Sequence, residues 1–231
     1  MVFAHDTTAA LLLAADLVNS ADLVNSADLV NSVELVDSDG LVGSDDLTDV
    51  GALEAFLDKH LVEPRRRAVA ADLEAVRALR PRLRAIWATT EPEPLAELIN
   101  GLLRDSGARP WLTDHGGGWG WHLHVTGHDA ALEHRIAAQA GFAFADLVRM
   151  GETGRLRRCD APDCDAVLVD LSKNRSRRYC DTGNCGNRQH VAAYRERRAD
   201  REAAREEDRE TAGEAAREED RAGREAAARA G

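Results

Sequence analysis

Four cysteines are the residues of this chain whose type and spacing most clearly indicate chemistry. They form two pairs, Cys159 with Cys164 and Cys180 with Cys185, and fifteen residues separate the pairs. Two short-spaced thiol pairs that close a hairpin-sized loop are the usual ligand set of a tetrahedral structural zinc ion. We therefore predict one Zn²⁺ held by all four cysteines, in a module so small that metal binding supplies the folding energy.

Two alternatives fit the same four cysteines. Thiolates also hold iron–sulfur clusters, although a lone four-thiolate set without a redox partner motif favours zinc. Two disulfides are the other alternative, and these form in oxidising compartments. No basic residue precedes the short apolar patch Ala9–Ala15, so we expect no secretory signal and a bacterial-type cytoplasmic location. No apolar run reaches the roughly 18–20 residues that span a bilayer, so no membrane partner is expected.

The cysteines lie in the one basic stretch of an acidic chain. The 231 residues carry a net charge of −11, yet residues 155–198 hold 11 Arg or Lys against 6 acidic residues. Residues 1–63 have a net charge of −12, residues 64–154 are neutral, and residues 199–231 have a net charge of −4. This asymmetry predicts a polyanionic partner for the basic module.

Short elements are expected to position the cysteines. Residues 166–170 and 176–179 are predicted to pair as two strands around a turn at 171–175, and a helix is predicted from 186 to 198. A knuckle, a hairpin and a last ligand at a helix start together describe a treble-clef arrangement. Val191 and Tyr194 have the spacing to pack on the hairpin.

Basic side chains on the hairpin and the helix are the candidate nucleic-acid contacts, because guanidinium groups match phosphate oxygens and guanine edges. Arg188 and Arg195 are seven residues apart and project from nearly the same helix face. The candidates are Lys173, Arg175, Arg177, Arg178, Arg188, Arg195, Arg197 and Arg198. A solvated charged face on a protein-binding module is the alternative, and a basic face alone does not separate DNA from RNA.

A hexapeptide repeat precedes the rest of the chain. The sequence of residues 15–20 recurs identically at 21–26 and 27–32, then decays through three further copies to residue 50. Two coils of a hexapeptide β-helix are one interpretation, but such solenoids need several stacked coils. We favour an expanded, partly disordered acidic segment of which only the first or the last copy belongs to the fold.

The middle of the chain has mainly helical periodicity. Apolar residues at helical spacing predict helices over 53–61, 69–86 and 95–103, with a kink or break at Pro81, and a helix capped by Asp129 through 131–148. Residues 111–113 and 119–125 flank three glycines and predict a β-hairpin. The fold class is therefore α+β: a mainly helical N-terminal domain with a small β-hairpin, plus a C-terminal treble-clef-like zinc finger.

The predicted hairpin also concentrates histidine and tryptophan. The histidines are His115, His122, His124 and His128. A second metal site is conceivable, but histidines without a carboxylate or thiol at fixed spacing are usually surface polar groups. Trp111, Trp119 and Trp121 could line a small-molecule pocket, although packing or cross-strand pairing is the commoner role. No P-loop, dinucleotide fingerprint, zincin motif or nucleophile elbow occurs, so we predict that the protein is not an enzyme.

Two segments resemble a known family. Cys185–Arg188 reads Cys-Gly-Asn-Arg after the run Asn174–Cys180, which resembles the CGNR-type zinc finger, and Leu13–Ser20 is similar to the opening motif of the ABATE domain. The resemblance implies a stress-induced transcription regulator with a DNA-binding finger, in which the four cysteines are ligands and Asn187 and Arg188 belong to the contact motif. Where the family commonly has lysine, this chain has His190.

The resemblance and the charge map together give the predicted organisation. It comprises an acidic segment at 1–50 that begins an ABATE-like domain, a regulatory domain at 51–152, the finger at 155–198 and a charged helical or disordered tail at 199–231. The expected partner is DNA, with RNA or protein as alternatives. The N-terminal domain is expected to bind an unknown small-molecule effector or to form a homodimer.

Overall fold

The computed structural model describes residues 3–21, 45–60, 66–114, 120–127 and 129–230. The fold is α+β: a mostly helical N-terminal region, two small antiparallel hairpins and a four-cysteine region. In chain order the elements are α1 (His5–Asn19), α2 (Val50–Lys59), α3 (Ala70–Ala88), α4 (Pro92–Asp105), β1 (Trp111–Thr113), β2 (His122–His124), α5 (Leu132–Arg149), a 3₁₀ turn (Thr153–Arg155), β3 (Leu156–Arg158), β4 (Val167–Val169) and α6 (Cys185–Ala230).

Helix α5 is the centre of the helical region and contacts α1, α3 and α4. Its inward face includes Phe144 and Leu147, which are completely buried. Gly141 allows α4 to approach closely, because a Cβ at this position would lie 2.9 Å from the side chain of Leu103. Helices α3, α4 and α5 lie where the apolar spacing predicted helices, whereas α1, which was not predicted as a helix, completes the same core.

The sequence predicted a kink or a break at Pro81, and of these two the break is wrong. The helix continues from Ala70 to Ala88 with Pro81 inside it. Proline removes one helical hydrogen bond, but Leu79 and Leu83 on either side are both buried in the core, so packing holds the helix together. The predicted Asp129 cap is also wrong, since α5 begins at Leu132 without a side-chain cap.

Both ends of the hexapeptide repeat belong to the fold. Leu17 and Val18 of the first copy are buried in α1, and Leu47 of the last copy joins the same core. The Ser20 carbonyl accepts a hydrogen bond of 2.9 Å from the Asp46 amide, so the last copy of the repeat begins beside the end of the first copy. The copies between these ends, with the β-helix and partial-disorder interpretations, lie outside the described residues.

The first hairpin follows the prediction. Strand β1 pairs antiparallel with β2, so that Trp111 lies opposite His124 and Leu112 lies opposite Leu123. The glycine turn falls outside the described residues.

The second hairpin differs from the prediction in the strand that pairs with β4. Strand β4 pairs antiparallel with β3, with Leu156 opposite Val169, and does not pair with residues 176–179. The physical reason is burial. Val167 and Val169 pack in the core of the helical region and Leu156 packs against that core, whereas residues 176–179 are too polar to share it.

The structure consists of two compact units. Residues 1–185 form the first, in which the β3–β4 hairpin and the helical region share one core. The second begins at Gly186 and contains the remainder of α6, which continues through the charged tail as a helix. No helix among the described residues is long and apolar enough to cross a membrane.

Candidate metal centre and nucleic-acid interface

The four predicted ligands converge on one point. The sulfur atoms of Cys159, Cys164, Cys180 and Cys185 all lie within 4.8 Å of one another. Cys180 Sγ is 3.7 Å from Cys164 Sγ and 3.6 Å from Cys185 Sγ. Zn–S bonds of about 2.3 Å in a tetrahedron require S···S separations of about 3.8 Å. The cluster therefore fits one structural zinc ion.

Tight turns hold the first two cysteines. The Cys159 amide donates to the Ala166 carbonyl at 2.8 Å, and the Cys164 amide donates to the Ala161 carbonyl at 3.2 Å. The Cys180 amide in turn donates to Cys159 Sγ at 3.4 Å, which links the two halves of the site. Because Cys185 is the first residue of α6, the last ligand sits at a helix start, as predicted.

The surroundings of the cysteines shift the pKa values of their thiols, and these shifts are compatible with a metal cation that replaces the thiol protons. Burial raises the pKa of Cys159 and Cys164, so both favour the protonated form until a cation replaces the protons. Burial also acts on Cys180, but the Thr182 hydroxyl, the Gly183 amide and neighbouring thiols donate to its sulfur and lower its pKa to about 7. All four cysteines are free thiols, which argues against the disulfide alternative.

Side chains of the helical region are hydrogen-bonded to the backbone of β4 and of the residues just before it. The Asn19 side chain donates to the Val167 carbonyl and accepts from the Val167 amide, both at 2.8 Å. Trp87 Nε1 donates to the carbonyl of Leu168 at 3.0 Å, and Arg84 donates to that of Asp165 at 3.2 Å. These polar contacts fix β4 on α1 and α3.

A buried carboxylate organises the loop after β4. Asp170 is completely buried and accepts hydrogen bonds from the Ser172 amide and hydroxyl and from the Arg177 amide. Burial raises its pKa, but the Ser172 and Arg177 donors outweigh burial and hold the pKa below its ordinary value. Arg155, also buried, donates to the Asp170 and Ser172 carbonyls at 2.7 and 3.0 Å. These hydrogen bonds hold the loop that carries Lys173 and Arg175 in place.

Most of the predicted nucleic-acid contacts are exposed. The exposed candidates are Lys173, Arg175, Arg178, Asn187, Arg188, Arg195, Arg197 and Arg198, whereas Arg177 is half-buried. The first three lie in the first unit, and the last five lie on α6. Val191 and Tyr194, which the sequence predicted to pack, retain 42% and 59% of their surface exposed, so neither is a core residue.

The candidate basic residues fall into two groups, those that form an ion pair and those that do not. Arg175 pairs with Glu152 at 2.7 Å, Arg178 with Asp160 at 2.8 Å and Arg198 with Glu202 at 2.8 Å. Arg177 pairs with Asp181 and also donates to the Tyr179 carbonyl at 3.3 Å. Among the described residues, Lys173, Arg195 and Arg197 have no ion pair. The pair Arg198–Glu202 has the i,i+4 spacing of one helix, whereas the pairs of Arg175 and Arg178 join residues 18 or more apart and depend on how the loops fold.

The histidines and tryptophans of the first hairpin do not form a second metal site among the described residues. His122 and His124 lie on one strand with ring centroids 5.2 Å apart, while His115 and His128 lie outside the described residues. Trp111 and Trp121 are exposed on the hairpin. A groove of about 660 Å³ lies on α3 and α4 and includes neither tryptophan.

The fold and the site define a four-cysteine zinc-finger protein with a helical N-terminal domain, and the sequence comparisons agree. The profile of the CGNR zinc finger matches residues 155–198. The profile of ABATE, described as "Putative stress-induced transcription regulator", matches residues 11–151. The chain therefore belongs to this family. A comparison with curated proteins gave no match.

Sequence reasoning missed the residues that join the two matched segments. Arg84 and Trp87 each lie 81 residues, and Asn19 lies 148 residues, from the residue near or on β4 to which they are hydrogen-bonded. The resemblance of Leu13–Ser20 to the ABATE opening motif was the one available signal for Asn19. It gave no indication of what the side chain binds.

Proposed function

We propose that the protein is a DNA-binding transcription regulator that acts by binding rather than catalysis, with residues 155–198 as its contact module. The observation that carries the proposal is the concentration of exposed cationic side chains within residues 155–198 of an acidic chain. The module has a net charge of +5 in its sequence. One Zn²⁺ with four thiolates lowers this to about +3, which is still basic. We assign the module to the treble-clef class, because a knuckle supplies the first two ligands and a helix start supplies the last.

The exposed cations without ion pairs are the first candidates for phosphate contact. Lys173 stands on the loop that Asp170 supports, and Arg195 and Arg197 stand on α6. Arg188 and Asn187, which are candidates on the family resemblance and not on the absence of an ion pair, are exposed near the start of the same helix. Contacts of this kind position a protein on nucleic acid and make its affinity dependent on salt.

The paired arginines have a second role in this proposal. Exposed ion pairs contribute little stability, so a phosphate can replace the carboxylate partners of Arg178 and Arg198. Arg175 is paired with Glu152, which also holds the buried Arg155, so its position is fixed before DNA binds. Arg177 is half-buried and bonded to the loop backbone, and we propose that it supports the loop without touching DNA.

The experiment is a salt titration of full-length, zinc-loaded protein by fluorescence anisotropy with duplex DNA, duplex RNA and single strands. We expect the tightest binding to duplex DNA. The logarithm of the affinity should fall linearly with the logarithm of the salt concentration, by about 0.9 per phosphate contact. Lys173→Ala, Arg195→Ala and Arg197→Ala should each reduce the slope by about 1.

Arg104→Ala is the matched control, because Arg104 is an exposed arginine on α4 outside the zinc module. It should leave the slope unchanged. Tighter binding to RNA than to DNA would replace the proposal with an RNA-binding function. Absence of binding to every nucleic acid at low salt would leave the protein-interaction module as the function of the zinc site.

A further inference from the structure

Two arginines that lie one turn apart on α3 differ in their partners. Arg80 forms an ion pair with Asp45 at 2.6 Å. Arg84 forms no ion pair among the described residues and donates only to two carbonyl oxygens, those of Val18 at 3.3 Å and Asp165 at 3.2 Å. Its side chain is half-buried. Arg84 therefore carries a partly desolvated positive charge that no carboxylate accompanies at ion-pair distance.

Strand β3 places a second arginine on the face of the zinc hairpin that packs on the helical region. Residues opposite each other on paired strands have their side chains on one face, so Arg158 shares a face with Val167, as Leu156 does with Val169. This face is turned toward the helices, because both valines are buried in their core and β3 contacts α3. Arg158 itself is exposed and forms no ion pair in the described part of the chain.

The charges around Arg84 leave its guanidinium in positive surroundings. Desolvation lowers the pKa of Arg84, the positive charge of Arg158 lowers it further, and the carboxylate of Asp165 raises it by less than Arg158 lowers it. Asp165 is thus a nearby negative charge that does not offset Arg158. An anion that binds both guanidinium groups removes this repulsion, and phosphate oxygens match the fork of N–H donors that each group presents. The junction of α3 and β3 has the charge and the donors of a phosphate site.

We propose that Arg84 and Arg158 together bind one phosphate group where α3 meets β3. The source that we infer is the DNA backbone, a step that rests on the proposed function, because Arg158 directly precedes the zinc ligand Cys159 in the basic module. DNA then contacts the helical region as well as the finger, through a residue of α3 that lies outside 155–198. A free phosphate ion presents the same oxygens, and the two arms of the test separate these sources.

The first arm uses inorganic phosphate without DNA, so its result does not depend on the proposed function. Thermal denaturation of full-length, zinc-loaded protein is followed in phosphate and in sodium chloride of the same ionic strength. Phosphate at about ten times its Kd should raise the melting temperature of the wild type by about 3 °C more than that of Arg158→Ala. Comparison of the two proteins removes the general stabilisation by phosphate that is excluded from protein surfaces.

Two further variants make this arm specific. Arg84→Met should lose the same shift as Arg158→Ala, because both guanidinium groups hold one phosphate. Each shift is measured against the same variant without phosphate, so a lower starting stability of Arg84→Met does not affect the result. Arg104→Ala is the matched control, since Arg104 is an exposed arginine of α4 without an ion pair among the described residues. It should respond to phosphate as the wild type does.

The second arm is a salt titration with duplex DNA. Arg84→Met and Arg158→Ala, alone or combined, should reduce the salt-dependence slope by about 1, because the two arginines share one phosphate contact. A phosphate-dependent shift with unchanged slopes supports the site and overturns its assignment to the DNA backbone. The same shift in a wild type that binds no DNA supports the site while the proposed function fails. Variants that match the wild type in both arms overturn the proposal, as does a phosphate shift that only one of the two substitutions removes.

Discussion

The Asn19 side chain is hydrogen-bonded to both backbone polar groups of Val167. The side-chain amide donates to the Val167 carbonyl and the side-chain oxygen accepts from the Val167 amide, each at 2.8 Å. A side chain of α1 thus takes the place of a neighbouring strand along β4. The first copy of the hexapeptide repeat is in this way tied directly to the hairpin that carries the zinc knuckle.

Asn19→Ala should destabilise the protein by about 2–3 kcal/mol, because two partly buried backbone groups lose their partners. Urea denaturation measures this change, and zinc content by native mass spectrometry shows whether the knuckle is affected. Asn25→Ala is the matched control, since Asn25 occupies the same place in an identical second copy of the repeat. It should have no effect. Equal effects of the two variants would show that the second copy of the repeat can replace the first in the fold, with Asn25 at the position of Asn19.

Removal of three repeat units, residues 21–38, should leave the fold intact. The Ser20 carbonyl already bonds the Asp46 amide, and Arg80 binds both Ser20 Oγ and Asp45. Shortening the connection about fourfold should stabilise the protein by about 1 kcal/mol through a smaller loop-closure entropy. Thermal denaturation of the deletion variant beside the full chain measures this. A large loss of stability would mean that the deleted copies contribute to the core.

Loss of zinc should destabilise the helical region as well as the finger. Val167 and Val169 belong to the core that also contains Phe144 and Leu147, so disorder of the knuckle exposes one side of that core. Cys180→Ser should abolish zinc binding and lower the melting temperature by about 10 °C or more, as expected for several kcal/mol in a chain of this size.

Differential scanning calorimetry checks the coupling, with chelator-treated wild-type protein as an independent route to the zinc-free state. Both samples should lose stability in the transition that melts the helices. An unchanged helical transition after zinc removal would contradict the coupling.

The ion pair of Asp45 with Arg80 should make stability sensitive to acid. The Arg80 hydrogen bond lowers the pKa of Asp45 below its ordinary value of 3.8, and burial opposes this more weakly. A carboxyl whose pKa is lower in the folded state contributes stability above pH 3.8 and loses it as the pH falls through the folded value. The difference in unfolding free energy between wild type and Asp45→Asn should therefore shrink below pH 3.8.

Urea denaturation between pH 7 and pH 3 measures that difference. Asp46→Asn serves as control, because Asp46 is the exposed neighbour in sequence, and its difference from wild type should stay constant. A constant difference for Asp45→Asn over the same range would show that the ion pair does not stabilise the fold.

His190→Lys should strengthen binding to duplex DNA. His190 is exposed on α6 at the place where the family commonly has lysine. An added permanent charge should raise the salt-dependence slope by about 1 if it reaches a phosphate. Fluorescence anisotropy across a salt series measures the change, with His190→Gln as the uncharged comparison. An unchanged slope for the lysine variant would place residue 190 away from the DNA.

Local patterns predicted much of the fold and the metal site. The helices α2, α4 and α5 follow from apolar spacing, because one buried face at helical period is visible in the sequence. The first hairpin follows from its strand residues and from the three glycines between them in the sequence. The predicted break at Pro81 is wrong, because packing on both sides of the proline outweighed its local penalty, and no local pattern reveals that packing.

The sequence by itself determined the zinc site of this protein. Cys159, Cys164, Cys180 and Cys185 are ligands by type and spacing, because metal chemistry limits the choice and short turns bring each pair together. Only the tertiary structure decided that β4 pairs with β3, that Asn19 holds Val167, and that Arg177 is bound to its loop while Lys173 is not. Strand partners and hydrogen-bond partners are chosen among residues distant in the chain, where burial and geometry compete and local spacing carries no information.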